Sequence, residues 1–448
     1  MTRKTRNIIL SIPIPLLILL IRPLSLTLNQ SIVLSTLIFT LTLWVNKSVN
    51  RTYASIFMLL IFIIFGETPI TKVLSFPLSE NFLLIIFSFL FSEGIVKSKL
   101  IDKLLKPYIG YYATSLPKLL ITIWIVALGM IFIVPQPFAR LILVATIFRE
   151  YLDRLDLKVK TKELLLFSVF LISVITNTYF LKGDIIMHPA LINMSGIIVN
   201  EFEWTKYMLP PGIAMLALTM ITYTLSFKNH LSKYKVNKTS KPKIEITSVD
   251  KRNLILIILP LVFWAFDGVH PIPGTVVIFS GVMLMYLSKI LVLQDLKTIQ
   301  WPLLIFLTAT FSIGPVMSTS GTANILFGSL TPIFPKEFSL FMILSVIVTS
   351  MLIHMILGSI VTSMSIVLPG MALLTAGVME PTLVALLVFV TLALHFILPF
   401  HSVHFIIGEG FGFFNQETVF KTGLIMTGII LISIFTIYLP WWKLINLY

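Results

Sequence analysis

Long apolar runs dominate this chain, and the polar positions that interrupt them recur in the same order twice. Crossing a bilayer as a helix takes roughly 17–25 apolar residues. Such runs fall near 8–21, 28–45, 53–69, 81–95, 163–192, 205–227, 252–269, 272–293, 301–318, 381–408 and 420–441, giving eleven predicted spans. Two other apolar stretches, 118–148 and 337–378, are too long for one helix and too interrupted for two crossings. The first is broken at Val134-Pro135-Gln136-Pro137 and the second at Gly358-Ser359, so both are predicted to be re-entrant hairpins. The segment after each hairpin carries polar groups that lipid disfavours: Thr176, Asn177, Thr178, Lys182, Asp184 and His188 in the first half, His395, His401 and His404 in the second. Backbone freed inside a bilayer persists only when buried in protein or lining an aqueous cavity. The pattern therefore predicts a shared polar cavity.

After an N-terminal helix (1–26), the order span, span, span, hairpin, broken span, span occurs twice with opposite orientation. The first repeat is predicted at 27–228, with its hairpin at 118–150 and its broken helix at 163–192. A polar, Lys-rich linker occupies 229–251, and the second repeat runs over 252–448, with its hairpin at 337–378 and its broken helix at 381–408. The fold class is thus an all-α polytopic membrane protein with an inverted repeat. Paired interrupted helices of this kind point to a transporter.

Composition agrees, since 57% of the 448 residues are hydrophobic, 12% are charged and the mean hydropathy is +0.99. The absence of cysteine excludes disulfides, thiolate metal sites and a cysteine nucleophile. The apolar stretch after the basic residues Arg3, Lys4 and Arg6 lacks a small-residue cleavage site, which predicts an uncleaved first helix. The net charge of +14 is distributed topologically: basic residues gather at the N-terminus, at Lys47 and Arg51, and over 97–106, 149–162 and 228–252. Placing these clusters in the cytoplasm leaves mainly Arg22, Lys72, Lys206, Lys336 and Lys443 outside. The N-terminus is then cytoplasmic and the C-terminus extracytoplasmic, and the Ile-, Leu- and Lys-rich composition with short loops reads as a bacterial inner-membrane protein. The first hairpin enters from inside and the second from outside. The bilayer is the implied partner of these basic loops, and nucleic acid is not.

Several further features carry a family resemblance: Phe202-Glu203-Trp204 with Leu209-Pro210, Trp264, Ile299-Gln300-Trp301-Pro302, Ser312-Ile313-Gly314, Ser320-Gly321, Ser359 ten residues before Pro369, Pro399 to Gly408, and Lys421-Thr422-Gly423. In this order and spacing the chain resembles the divalent anion:sodium symporter family, transporters of dicarboxylates, citrate and sulfate. The resemblance implies a homodimer with an elevator-like cycle. It also implies hairpin tips bearing Ser-Asn-Thr that hold substrate carboxylates, with nearby carbonyls on sodium. This chain departs from that pattern. Its tips read Pro135-Gln136-Pro137 and Ser359-Ile360-Val361, and its breaks read Leu181-Lys182-Gly183-Asp184 and Phe400-His401-Ser402-Val403-His404.

A charge in the bilayer interior costs about 2.5–3.5 kcal/mol on insertion scales, so Arg140 needs a partner. A bound anion suits its planar fork, and a structural contact with Asp184 or a hairpin carbonyl is the alternative. Lys182 and Asp184 flank Gly183, where they either neutralise each other or divide the tasks of holding an anion and accepting a proton. Gln136, Asn177, Thr178, Ser359, Thr362 and Ser363 complete the predicted anion contacts, the last three where a short helix opens with free N–H groups. His401 and His404, spaced i, i+3, would share a helical face. With His354 and Asp184 they are the predicted carriers of a coupling ion, H⁺ or Na⁺. The spacing of the histidines offers no metal-ligand set, and no phosphate loop, HExxH or nucleophile elbow occurs. The function read from the sequence is secondary active transport of a small anion, by symport or exchange, without a cofactor. A membrane-embedded enzyme and a passive anion channel are the alternatives.

Overall fold

A computed structural model describes residues 3–46, 49–232, 234, 244–265, 270–332 and 334–448. Lys47 and part of the linker expected over 229–251 (233 and 235–243) lie outside the described residues. All regular structure among the described residues is helical. The N-terminal segment is two helices, α1 (Arg3–Leu10) and α2 (Pro13–Ile21), because Pro13 and Pro15 reset the helix after Ser11. Then come α3 (Leu28–Asn46), α4 (Arg51–Phe65), the single turn α5 (Ile70–Val73), α6 (Glu80–Ser98) and α7 (Leu100–Tyr112). A hairpin of α8 (Leu116–Ile131) and α9 (Pro137–Asp153) precedes α10 (Val159–Asn177) and α11 (Met187–Ser195), followed by α12 (Glu201–Ser226) and the turn α13 (Lys228–Leu231).

The rest of the chain follows the same order. It runs through α14 (Ser248–Ala265), α15 (Gly274–Leu287), α16 (Trp301–Thr319), α17 (Thr322–Gly328), a hairpin of α18 (Leu340–Leu357) and α19 (Ile360–Leu374), then α20 (Pro381–Leu394) and α21 (Val403–Gly410). The last long helix, α22 (Gln416–Ser433), continues through a π-helical turn at Ile434–Tyr438 into α23 (Leu439–Leu444). Packing is reciprocal between the halves: α4 lies on α16 as α6 lies on α15, α3 on α4 as α14 on α15, and each hairpin clasps its own following helix, α10 or α20.

Helices α10 and α20 are apolar on every side and buried along almost their whole length, which places them at the centre of the molecule. Among the described residues, three helical runs are each long and apolar enough to cross a bilayer alone: Glu201–Ser226, Trp301–Thr319 and Gln416–Leu444. Shorter apolar helices of 10–17 residues among the described residues include Leu28–Trp44, Arg51–Phe65, Leu116–Ile131 and Pro381–Leu394. The chain breaks many of its apolar runs with proline, glycine or short polar turns.

Two glycines let outer helices close on the central ones. A side chain at Gly212 of α12 would meet the Tyr179 ring at 2.6 Å, and one at Gly423 of α22 would lie 2.8 Å from Ile397 Cα and collide with the Phe396 carbonyl. Both contacts fall where a central helix is interrupted.

Candidate functional site

The hairpin tips follow from their residues. In the first, Pro135 and Pro137 cannot extend α8, and Pro137 sits where a helix tolerates it, at the start of α9. Gln136 caps α9 by accepting from the Ala139 amide, and its Nε2, also buried, has no partner. In the second, Gly358 adopts the left-handed conformation (φ 61°) that closes α18, its amide donating to the His354 carbonyl at 2.8 Å. Ser359 is extended (φ −149°) and opens α19 without a side-chain cap.

The interruption between α10 and α11 leaves backbone groups that side chains satisfy. Arg140, 3% exposed, donates to the Val134 carbonyl at 2.9 Å, to Asn177 Oδ1 at 3.0 Å and to the Gly183 carbonyl, joining the first tip to the first break. Asp184 Oδ1 accepts from the Ile186 and Met187 amides, each at 2.8 Å, so a carboxylate occupies the N-terminus of α11. The Glu201 carboxylate takes the amides of Leu181 and Lys182 at 3.0 and 3.2 Å, and Trp204 Nε1 donates to the Thr178 carbonyl at 3.0 Å. His188 Nδ1 meets the Leu181 carbonyl at 2.7 Å, with its ring between Trp204 and Phe389.

At the second break imidazoles take over. His401 Nδ1 accepts from the amides of Ile397 and Leu398 at 3.0 and 3.1 Å, and His354 Nε2 donates to the His401 carbonyl at 3.0 Å. His395 Nδ1 lies 3.4 Å from His354 Nδ1, completing a buried group of three rings. His354 and His401 bond backbone groups and His395 meets His354, while His395 Nε2 is buried without a partner among the described residues; no group of three His, Asp or Glu among them has the arrangement of a metal site.

Between tips and breaks lies a cavity of about 40 Å³, room for a few waters. Its walls are Phe138 from the start of α9, Asp184, Ile186 and Met187 at the start of α11, Ser359 to Val361 opening α19, and Val403 and His404 opening α21. Leu303, Phe306 and Leu307 of α16 close one side. Four helix N-termini thus converge on one space and turn the positive ends of their dipoles toward it, although Gln136 takes the Ala139 amide of α9 and Asp184 takes the Ile186 and Met187 amides of α11. His404 holds Ser402 Oγ at 3.1 Å through Nδ1, and its Nε2 is buried without a partner among the described residues. A larger vestibule of about 620 Å³ shares Phe138, Leu303, Phe306 and Val403 with this cavity and reaches Arg51, Glu93 and Gln136.

Residues 2–448 match the family profile described as the sodium:sulfate symporter transmembrane region. The chain belongs to the sodium:sulfate symporter family. Membership makes it a membrane-embedded anion transporter of that type, and the family's members are not enzymes. No curated protein matches the chain.

In this symporter, Asp184, Ser359 and His404 of the sequence-derived residues face the central cavity, and Gln136 faces the vestibule. The others stand behind them. Thr178 Oγ1 returns to the Ile175 carbonyl at 2.8 Å, Thr362 Oγ1 donates to Ser359 Oγ at 3.1 Å, and Ser363 Oγ to the Ser359 carbonyl at 2.8 Å.

Two readings of side-chain direction are corrected. Lys182 and Asp184 do not pair: Lys182 Nζ donates to the Trp264 carbonyl at 2.8 Å and lies over that indole, while Asp184 turns inward to cap α11. His401 and His404 share no helical face, because a 3₁₀ turn ends at His401 and Ser402 is extended (φ −140°, ψ 132°) before α21 begins. Sequence reasoning gave no role to Glu201 or to Trp204's indole. The Asn200–Glu203 capping box, which fixes the start of α12 beside the break, was the available signal.

Proposed function

We propose that this symporter binds one small dianion, sulfate or a compact dicarboxylate, in the central cavity and moves it by secondary active transport. The convergence of four helix N-termini on that cavity carries the reading, since the positive ends of their dipoles favour an anion there. Ser359 and His404 supply side-chain contacts, and Arg140 holds the first tip against the first break. Asp184 balances the charge by taking up the coupling cation, H⁺ or Na⁺, and the imidazole group of His354, His395 and His401 steadies the second break.

Reciprocal packing of the halves supports an inverted repeat of eleven spans and two hairpins, divided at 27–228 and 252–448. In the elevator cycle we propose, hairpins and broken helices move together against α3, α4, α6 and their counterparts α14, α15 and α16. The charge bias supports an N-terminus on the cytoplasmic side of a bacterial inner membrane, and the family resemblance supports a homodimer.

The test is uptake of labelled sulfate, phosphate, and di- and tricarboxylates by the full chain in liposomes, under a sodium gradient and separately under a proton gradient. Accumulation against the anion's own gradient under either cation supports the proposal and identifies the cation. Flux that only equilibrates the anion makes the protein a channel, and no flux of any of them overturns the substrate class.

A further inference from the structure

We infer that Arg51 forms a second anion-binding station in the vestibule, outside the central cavity, where the substrate pauses on its way to or from the cytoplasm. The inference rests on the proposed transport function and adds a residue that neither the hairpins nor the breaks contain. Arg51 opens α4 and lines the vestibule of about 620 Å³, and its guanidinium carbon lies 4.5 Å above the Phe306 ring. The Trp44 indole packs edge-on against Phe306, with centroids 4.8 Å apart, and so fixes the ring on which the cation rests. Phe306 also lines the central cavity, so one aromatic ring borders both spaces.

Lys97 pairs with Asp295, Lys103 with Asp250, Lys106 with Asp102 and Glu150, and Lys160 with Glu163. Arg51, half-buried, has neither an ion pair nor a side-chain hydrogen bond among the described residues, although Glu93 lines the same vestibule. A guanidinium held on an aromatic face keeps its N–H edge for a ligand, and its fork matches a carboxylate, sulfate or phosphate. Glu93 forms no ion pair with Arg51, so that edge stays open to a ligand.

The chain's lack of cysteine allows a clean test. A single reporter, Thr52→Cys, lines the same vestibule. Its rate of modification by a membrane-impermeant thiol reagent is measured with sulfate, phosphate or succinate, against chloride. With Arg51 present, at least one of the three anions slows labelling, and with Arg51→Gln it does not. Uptake by Arg51→Gln shows an apparent KM raised about tenfold or more, as expected for loss of a charge-assisted contact, and Arg51→Lys recovers part of it. Thermal unfolding of both variants separates this effect from misfolding. Labelling that ignores all three anions in the Arg51 background overturns the station, as does equal protection with and without the arginine. Protection without any uptake leaves the station standing and removes the transport reading instead.

Discussion

Replacing Arg140 by methionine removes the strut between the first tip and the first break while keeping an unbranched side chain of comparable length. Three acceptors lose their donor: the Val134 carbonyl, Asn177 Oδ1 and the Gly183 carbonyl. All three belong to buried residues, and a buried acceptor left unsatisfied costs about 1–3 kcal/mol, for a gross loss of about 3–9 kcal/mol. The loss is partly offset because a guanidinium no longer has to leave water, which leaves the lower part of that range, about 3–5 kcal/mol. Arg140→Met is therefore expected to lose about 3–5 kcal/mol, read as a lower unfolding midpoint of the purified protein in detergent. Arg140→Lys should fall between the two, because an ammonium lacks the fork that reaches Val134 and Gly183 together. Arg140→Met unfolding within about 1 kcal/mol of the native chain would refute the strut, since it would mean the tip and the break hold their geometry without it. Full uptake by such a variant would further remove Arg140 from any role in binding.

Asp184→Asn keeps a cap of similar quality on α11, so stability should change by less than about 1 kcal/mol, while gradient-driven accumulation in liposomes is lost and anion exchange is retained. Gly423→Ala forces a methyl group onto the Phe396 carbonyl and Ile397 backbone, and an overpacking penalty of about 1–3 kcal/mol should appear as a lower unfolding midpoint. Asp250 is held at a pKa of about 2 by Lys103 and by the hydroxyl and amide of Thr247. Its folded pKa is depressed, so the tie from α14 to α7 is intact above the ordinary carboxylate range and is lost as pH falls toward about 2. Asp250→Asn should show that loosening at neutral pH, as faster amide exchange in α7.

The hairpins were legible because proline and glycine act locally: Pro135 and Pro137 stop one helix and start another, and Gly358 takes the left-handed cap whatever lies around it. That Arg140, Asp184 and His404 sit in apolar sequence was equally plain, and intramembrane polarity demands a partner. What spacing could not give was direction. Lys182 and Asp184 are two residues apart, but the 3₁₀ turn at Leu181–Gly183 sends one to Trp264 and the other to the amides of α11. An i, i+3 argument for His401 and His404 presumes a helix, and the extended Ser402 interrupts it. The partners that organise the breaks come from other helices, as with His354 reaching His401 and Glu201 reaching Leu181, and nothing in the local pattern encodes those meetings.

The two breaks solve one problem with different chemistry, and the difference bears on coupling. The second break satisfies its backbone with imidazoles, whereas the first uses the full charges of Arg140 and Glu201 and brings the Asp184 carboxylate to the cavity's edge. A dianion seated among the helix N-termini therefore meets a carboxylate already occupying one of them. Two like charges about 4 Å apart repel by about 4 kcal/mol at the effective dielectric constant of a protein site, close to a thousandfold in affinity. Arg140, its donors committed to Val134, Asn177 and Gly183, offsets part of this through its charge but offers the anion no free hydrogen-bond donor. A cation arriving at Asp184 removes the repulsion, so anion and cation bind better together than either does alone. By linkage each must then raise the other's affinity by the same factor. On this reasoning Asp184→Asn, which deletes the carboxylate's charge, binds the anion without waiting for the cation, and that variant separates affinity from coupling in one substitution.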